Sequence, residues 1–192
     1  MNGGWLRRGA VAMAVVLWAA GVIAETCQAI TQDGKRCSRS AKGSSGYCAQ
    51  HARIVAARDR VAAEPGDDFP AINLQLITEQ RRVLAVTNGV YLVLDGAQKA
   101  RLAGVVANND ANDFVRAFCG TNTVVAEYDR LETGHQYATV FIRDGATCLN
   151  EELIRAGLGG IDIRTMFRYW AQFEKAQDEA RSAKRGVWAE AK

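Results

Sequence analysis

The stretch from Val83 to Asn109, VLAVTNGVYLVLDGAQKARLAGVVANN, constrains the fold of this chain more than any other. Apolar residues alternate over Val83–Val86 and again over Tyr91–Leu94, the period of a half-buried strand. Asp95-Gly96 breaks the run, and a further strand ends in Arg101-Leu102-Ala103-Gly104-Val105. Asp-Gly between two such runs predicts a β-hairpin. Arg101 stands at a strand end, just before the polar loop Ala107–Asp110. Binding and catalytic groups concentrate at such strand-to-loop positions on a rigid scaffold.

The 192 residues leave room for one such domain and additions to it. The formal charge is only +3, and Arg7 and Arg8 supply two of those charges. Net charge therefore gives no argument for nucleic-acid binding, which would need a local patch. Residues 1–24 read as a secretory leader: Arg7 and Arg8 precede the apolar run Ala10–Ala24, and Val22-Ile23-Ala24 satisfies the small-residue cleavage rule. The run is short of the roughly 20 apolar residues of a membrane span, so no stable span is expected after cleavage; an uncleaved anchor is the alternative. The mature protein is expected to be secreted or periplasmic, where cysteines pair or bind metal.

The first mature segment, CQAITQDGKRCSRSAKGSSGYCAQH, has almost no large apolar residues and cannot build a core. Its spacing is Cys27-x9-Cys37-x10-Cys48-x2-His51. Cys48 and His51 lie one helical turn apart and can converge. Three thiolates and an imidazole complete a tetrahedral structural zinc site. A disulfide between two of the cysteines, with one left over, is the competing reading. The segment resembles a small Cys3His module attached to many unrelated domains, with agreement at Cys27, Ala29, Thr31, Gly34, Cys37, Arg39, Ala41, Gly46, Tyr47, Cys48 and His51. No reaction follows from that resemblance. Lys35, Arg36, Arg39 and Lys42 read as a solvated basic face.

Ala49–Glu64 is predicted helical, with Ile54, Val55 and Val61 on one side and Arg53, Arg58, Asp59 and Arg60 on the other. Pro65–Pro70 is a linker, and Ala71–Thr78 a short entry strand. Beyond the hairpin, the pattern predicts a helix over Asn112–Cys119 and strands over Thr123–Tyr128 and Tyr137–Arg143, joined by the loop Asp129–Gln136. It then predicts a helix over Glu151–Ala156 capped by Asn150, and a long helix from about Thr165 to Lys184 with Met166, Trp170, Phe173 and Ala180 on its core face.

Strands split by one helix and followed by two more imply an α+β, OB-type five-stranded barrel with three helices, preceded by the Cys/His module and one helix. Asn88-Gly89-Val90-Tyr91, Arg101–Val105, Thr133-Gly134-His135, Asp144-Gly145, Leu149–Leu158 and Arg185-Gly186-Val187-Trp188 resemble the successive landmarks of the staphylococcal nuclease family, over about Val83 to Glu190. The chain then divides into a leader (1–24), the Cys3His module (25–51), a helix and linker (52–70) and a nuclease-like domain (71–192).

The resemblance implies calcium-dependent phosphodiester cleavage, but its site residues do not carry over. The two calcium carboxylates fall on Val90 and Val106, the general base on Asn109, and the second phosphate-binding arginine on His135; Arg101 alone is retained. Valines offer calcium no oxygen. Asn109 cannot take a proton from water. His135 would contact phosphate only when protonated. The expectation is therefore no catalytic residue and no calcium, with Arg101 and His135 left as phosphate contacts of a binding or structural module. Its partner would be a polymer, nucleic acid included, or a protein. A nuclease of altered mechanism, with His135 as base, is the alternative. The family fold also brings the end of the first barrel helix near the start of the next, which implies a disulfide between Cys119 and Cys148.

Overall fold

The computed structural model describes residues 25–63, 77–130 and 137–189. The leader, the linker, most of the entry strand and the loop carrying His135 lie outside the described residues. Among the described residues nine strands and four helices follow in order: α1 (Ala49–Ala63), β1 (Ile77–Arg81), β2 (Val83–Thr87), β3 (Tyr91–Leu94), β4 (Lys99–Leu102), β5 (Val105–Ala107), α2 (Asn112–Cys119), β6 (Val124–Arg130), β7 (Ala138–Asp144), β8 (Thr147–Cys148), α3 (Leu149–Arg155), β9 (Gly159–Ile161) and α4 (Trp170–Ser182). The fold is α+β, with three helices around the sheet and α1 belonging to the N-terminal module.

The main sheet runs β1-β6-β7-β4-β3-β2, with β8 on the flank of β7. Among the described strands only β4 and β7 pair in parallel. The two outer strands, β1 and β2, are consecutive in the chain with Arg82 alone between them. The sheet therefore curls round through one bent segment, in the manner of an OB fold, without a hydrogen-bonded ladder closing it into a barrel. Both hairpin turns follow from sequence. Asn88 and Gly89 take φ of 51° and 68° between β2 and β3, the left-handed pair that an Asn-Gly turn provides. Asp95–Ala97 joins β3 to β4, setting Tyr91 opposite Arg101.

Three expectations of local secondary structure are corrected. The strand expected to run through Val105 ends at Leu102. Gly104 turns the chain at φ 67°, where a Cβ would lie 2.6 Å from the Phe167 ring, and Val105–Ala107 pairs instead with β9 in a separate two-stranded sheet. Asn150 caps nothing. It lies inside α3, fully buried, accepting from the Ile142 N–H at 3.0 Å and donating to the carbonyls of Ala103 and Val140 at 3.0 and 3.1 Å. It ties the helix to the sheet. The long helix begins at Trp170, not Thr165, because Asp162 holds the preceding turn through the N–H of Arg164 and the N–H and hydroxyl of Thr165; Met166 is consequently 53% exposed.

The core joins sheet, α2, α3 and the start of α4 around Phe141 and Phe173. Cys119 and Cys148 belong to it as free, buried thiols, so the expected disulfide is absent from this structure. Burial pushes the Cys119 thiol up to about 11 and raises that of Cys148.

The N-terminal module is seated on this domain. Ile163 packs among Cys27, Cys37 and Cys48, and Ile30 packs against Val106, Ala180 and Trp188. Arg58, expected on the solvent face of α1, instead lays its guanidinium 4.1 Å from the centre of the Trp170 ring.

Candidate functional site

Strand β4 delivers Arg101 to the floor of an open groove of about 760 Å³. Its Nη2 donates to the Val105 carbonyl at 3.0 Å and to Asp162 Oδ2 at 3.1 Å. The Asp162 side chain is only 3% exposed. Arg164 binds the same carboxylate with both arms of its fork, Nε to Oδ1 and Nη2 to Oδ2, each at 2.7 Å. Burial alone would raise the Asp162 pKa. The hydrogen bonds and charge of Arg164, with the charge of Arg101, outweigh it and hold the carboxyl below its ordinary value. Two arginines are thus neutralised in part by one buried carboxylate, on residues well separated along the chain.

Val90 and Val106 both line the groove from its apolar side, at 5% and 4% exposure. Asn109 is exposed, and its carboxamide oxygen accepts from Asn112 Nδ2 at 3.2 Å. Asn112 in turn accepts from the Gly89 N–H, which locks the β2–β3 turn onto the start of α2. Arg101, Val90, Val106 and Asn109 are therefore brought together around one groove. Sequence reasoning missed Asp162 and Arg164. The signal was present: a lone acid between Ile161 and Ile163 demands a buried partner. It also missed that Gln32 and Asp33, of the N-terminal module, form the opposite wall. That wall is close. A Cβ on Gly34 would lie 2.5 Å from the Ala107 carbonyl carbon, so only glycine fits.

The second cluster is Cys27, Cys37, Cys48 and His51, whose ligand atoms all lie within 4.8 Å of one another. His51 Nδ1 is 3.3 Å from the Cys27 sulfur and 3.6 Å from that of Cys48. Tetrahedral bonds of about 2.3 Å to sulfur and 2.0–2.1 Å to nitrogen place such atoms about 3.6 Å apart. The set can hold a metal ion. Burial and the nearby Arg39 lower the His51 pKa, favouring the neutral imidazole that a metal requires. At Cys48 burial opposes ionisation. The N–H groups of His51 and Gln50 at the start of α1, with the neighbouring thiols, outweigh it and lower the pKa.

Residues 104–190 match the family model described as staphylococcal nuclease homologue. The match begins just after Arg101 and takes in Val106, Asn109, Asp162 and Arg164. Residues 24–59 match a model described as a domain of unknown function (DUF5763), which spans the Cys3His cluster and the first part of α1. No curated protein matches the chain.

Proposed function

We propose that the staphylococcal nuclease-like domain of this protein is a binding module that holds its ligand in the groove without cleaving it. The observation that carries this reading is the state of the groove. Its central arginine is tied to a buried carboxylate, and methyl groups stand where the family resemblance calls for calcium ligands. Calcium takes 6–8 oxygens, mostly from carboxylates. Val90 and Val106 supply none, so the residues do not fit that ion. Nor does Asn109 offer a base to activate water.

The N-terminal cluster fits zinc, with Cys27, Cys37, Cys48 and His51 as its four ligands. A closed set of four protein ligands gives a structural ion and leaves no open position for substrate. We propose as well, from the leader-like pattern of residues 1–24, that the mature protein is secreted or periplasmic.

The test is direct. Mature protein is incubated with single-stranded DNA and with RNA, with calcium and with chelator. The proposal expects no cleavage in any arm. Turnover that is lost both on chelation and in Arg101→Ala would overturn it.

A further inference from the structure

The charge balance of the groove bears on what it binds. Among the described residues four ionised side chains line it: Arg101, Arg164, Asp162 and Asp33. Their formal charges cancel. The Nε and Nη2 edge of Arg164 is committed to Asp162, and Arg101 shares the same carboxylate. Polynucleotide affinity rests on cations that neutralise phosphates and release counterions. A phosphodiester chain laid here would meet two arginines already partly neutralised by Asp162 and would approach two carboxylates.

The remaining polar groups are of another kind. The Gln32 and Asn88 amides and the Tyr91 hydroxyl line the groove and make no hydrogen bond to any described residue. Each amide donates and accepts at once, as does a hydroxyl. Tyr91, which lines the groove, packs its ring 5.2 Å from that of Tyr137, centre to centre. Uncommitted amides beside an aromatic face suit a ligand rich in hydroxyls, with an apolar ring face and no charge. OB-type barrels bind oligosaccharides as well as oligonucleotides.

Resting on the non-catalytic reading above, we propose that the groove binds a neutral oligosaccharide and that the site is composite, with Gln32 supplied by the N-terminal module and Asn88 and Tyr91 by the barrel. Gln32 and Asp33 lie on the segment between Cys27 and Cys37. The backbone contacts of Gly34 with Ala107 and Asn108 hold that segment against the domain. One of the three contacts is therefore placed by the module that carries the Cys3His cluster.

Calorimetry on metal-loaded mature protein tests this, with chitohexaose, cellohexaose, maltohexaose and the oligonucleotide dT10 as probes at low and moderate salt. At least one hexasaccharide is expected to bind with an affinity independent of salt. Gln32→Ala and Asn88→Gly, both at exposed positions and the second compatible with φ 51°, should each weaken it about tenfold or more, which is about 1.4 kcal/mol, with the melting temperature unchanged. If no hexasaccharide binds, or if neither substitution weakens binding, the proposal is overturned. Salt-sensitive binding of intact dT10 in place of the sugars would overturn the ligand class and leave the non-catalytic reading standing. Cleavage of dT10 would overturn both.

Discussion

Ile30 of the N-terminal module packs directly against Val106 of β5, with Ala180 and Trp188 completing the contact. The position that the nuclease resemblance gives to a calcium carboxylate is therefore apolar on the domain side and covered from the module side. Val106→Asp would place a charge in this contact with no cation to meet it. We expect it to cost about 3 kcal/mol or more, read as a lower urea midpoint. Combining it with Val90→Asp, Asn109→Glu and His135→Arg should yield no calcium-dependent nuclease while Ile30 occupies its seat. Recovery of activity in that variant would show that the seat yields.

Asp162 makes acid stability a local question. Its folded pKa lies below the ordinary value, through the hydrogen bonds and charges of Arg164 and Arg101 working against burial. A depressed carboxyl contributes stability that is fully present above the unfolded pKa of about 3.9 and is lost as pH falls through the folded value. Stability of the wild type should therefore drop below about pH 4. Asp162→Asn should flatten that drop, lower stability at neutral pH and free Arg101 and Arg164. Tighter dT10 binding by Asp162→Asn than by wild type is the accompanying expectation. Denaturant curves from pH 2 to 7 and calorimetry check both halves.

Chelation should remove one metal ion per chain and loosen residues 27–51 ahead of the sheet. Hydrogen exchange should show lost protection on the segment from Cys27 to Cys37 while β6 and β7 keep theirs. His51→Ala should reproduce the effect without chelator. Unchanged exchange in the metal-free protein would mean that packing by Ile30 and Ile163 suffices to hold the module.

Asn150→Ala removes three hydrogen bonds from a fully buried site. We expect a loss of about 2–3 kcal/mol with the fold retained, measured by thermal or urea unfolding.

Cys119 and Cys148 are free and buried. Neither should react with an alkylating reagent in the native protein. Both should react after unfolding without reductant, each adding one label by mass.

Local signals carried much of this structure. The alternation before Asp95-Gly96 marks β3 and the turn into β4, and the Phe114, Val115 and Phe118 spacing marks α2 to its observed ends. The landmarks around Arg101 indicated the groove and the valines in it. What was not legible depends on contacts distant in sequence. Gly104 ends a strand because Phe167 occupies the space beside it. Asn150 reads as a helix cap by its neighbours, yet the sheet gives it three partners. Residues 165–169 follow a helical spacing that the turn around Asp162 overrides. The module's role as a wall depends on Gly34 and Ile30 meeting β5 and β9, which no local pattern encodes.

The close fit of Ile30 against Gly160, where even a Cβ would come within 2.2 Å of the isoleucine side chain, has a consequence for biosynthesis. Ile30 is made early and Gly160, Ala180 and Trp188 late. As an exported chain emerges N-terminus first across the membrane, the module can gather its cysteines and histidine before the surface that receives it exists. During that interval its apolar residues have no partner, and contacts of such long sequence separation form slowly. Early metal capture would keep the thiols occupied through this delay. The order of synthesis thus makes the metal cluster a holding device for a segment whose permanent neighbours arrive last.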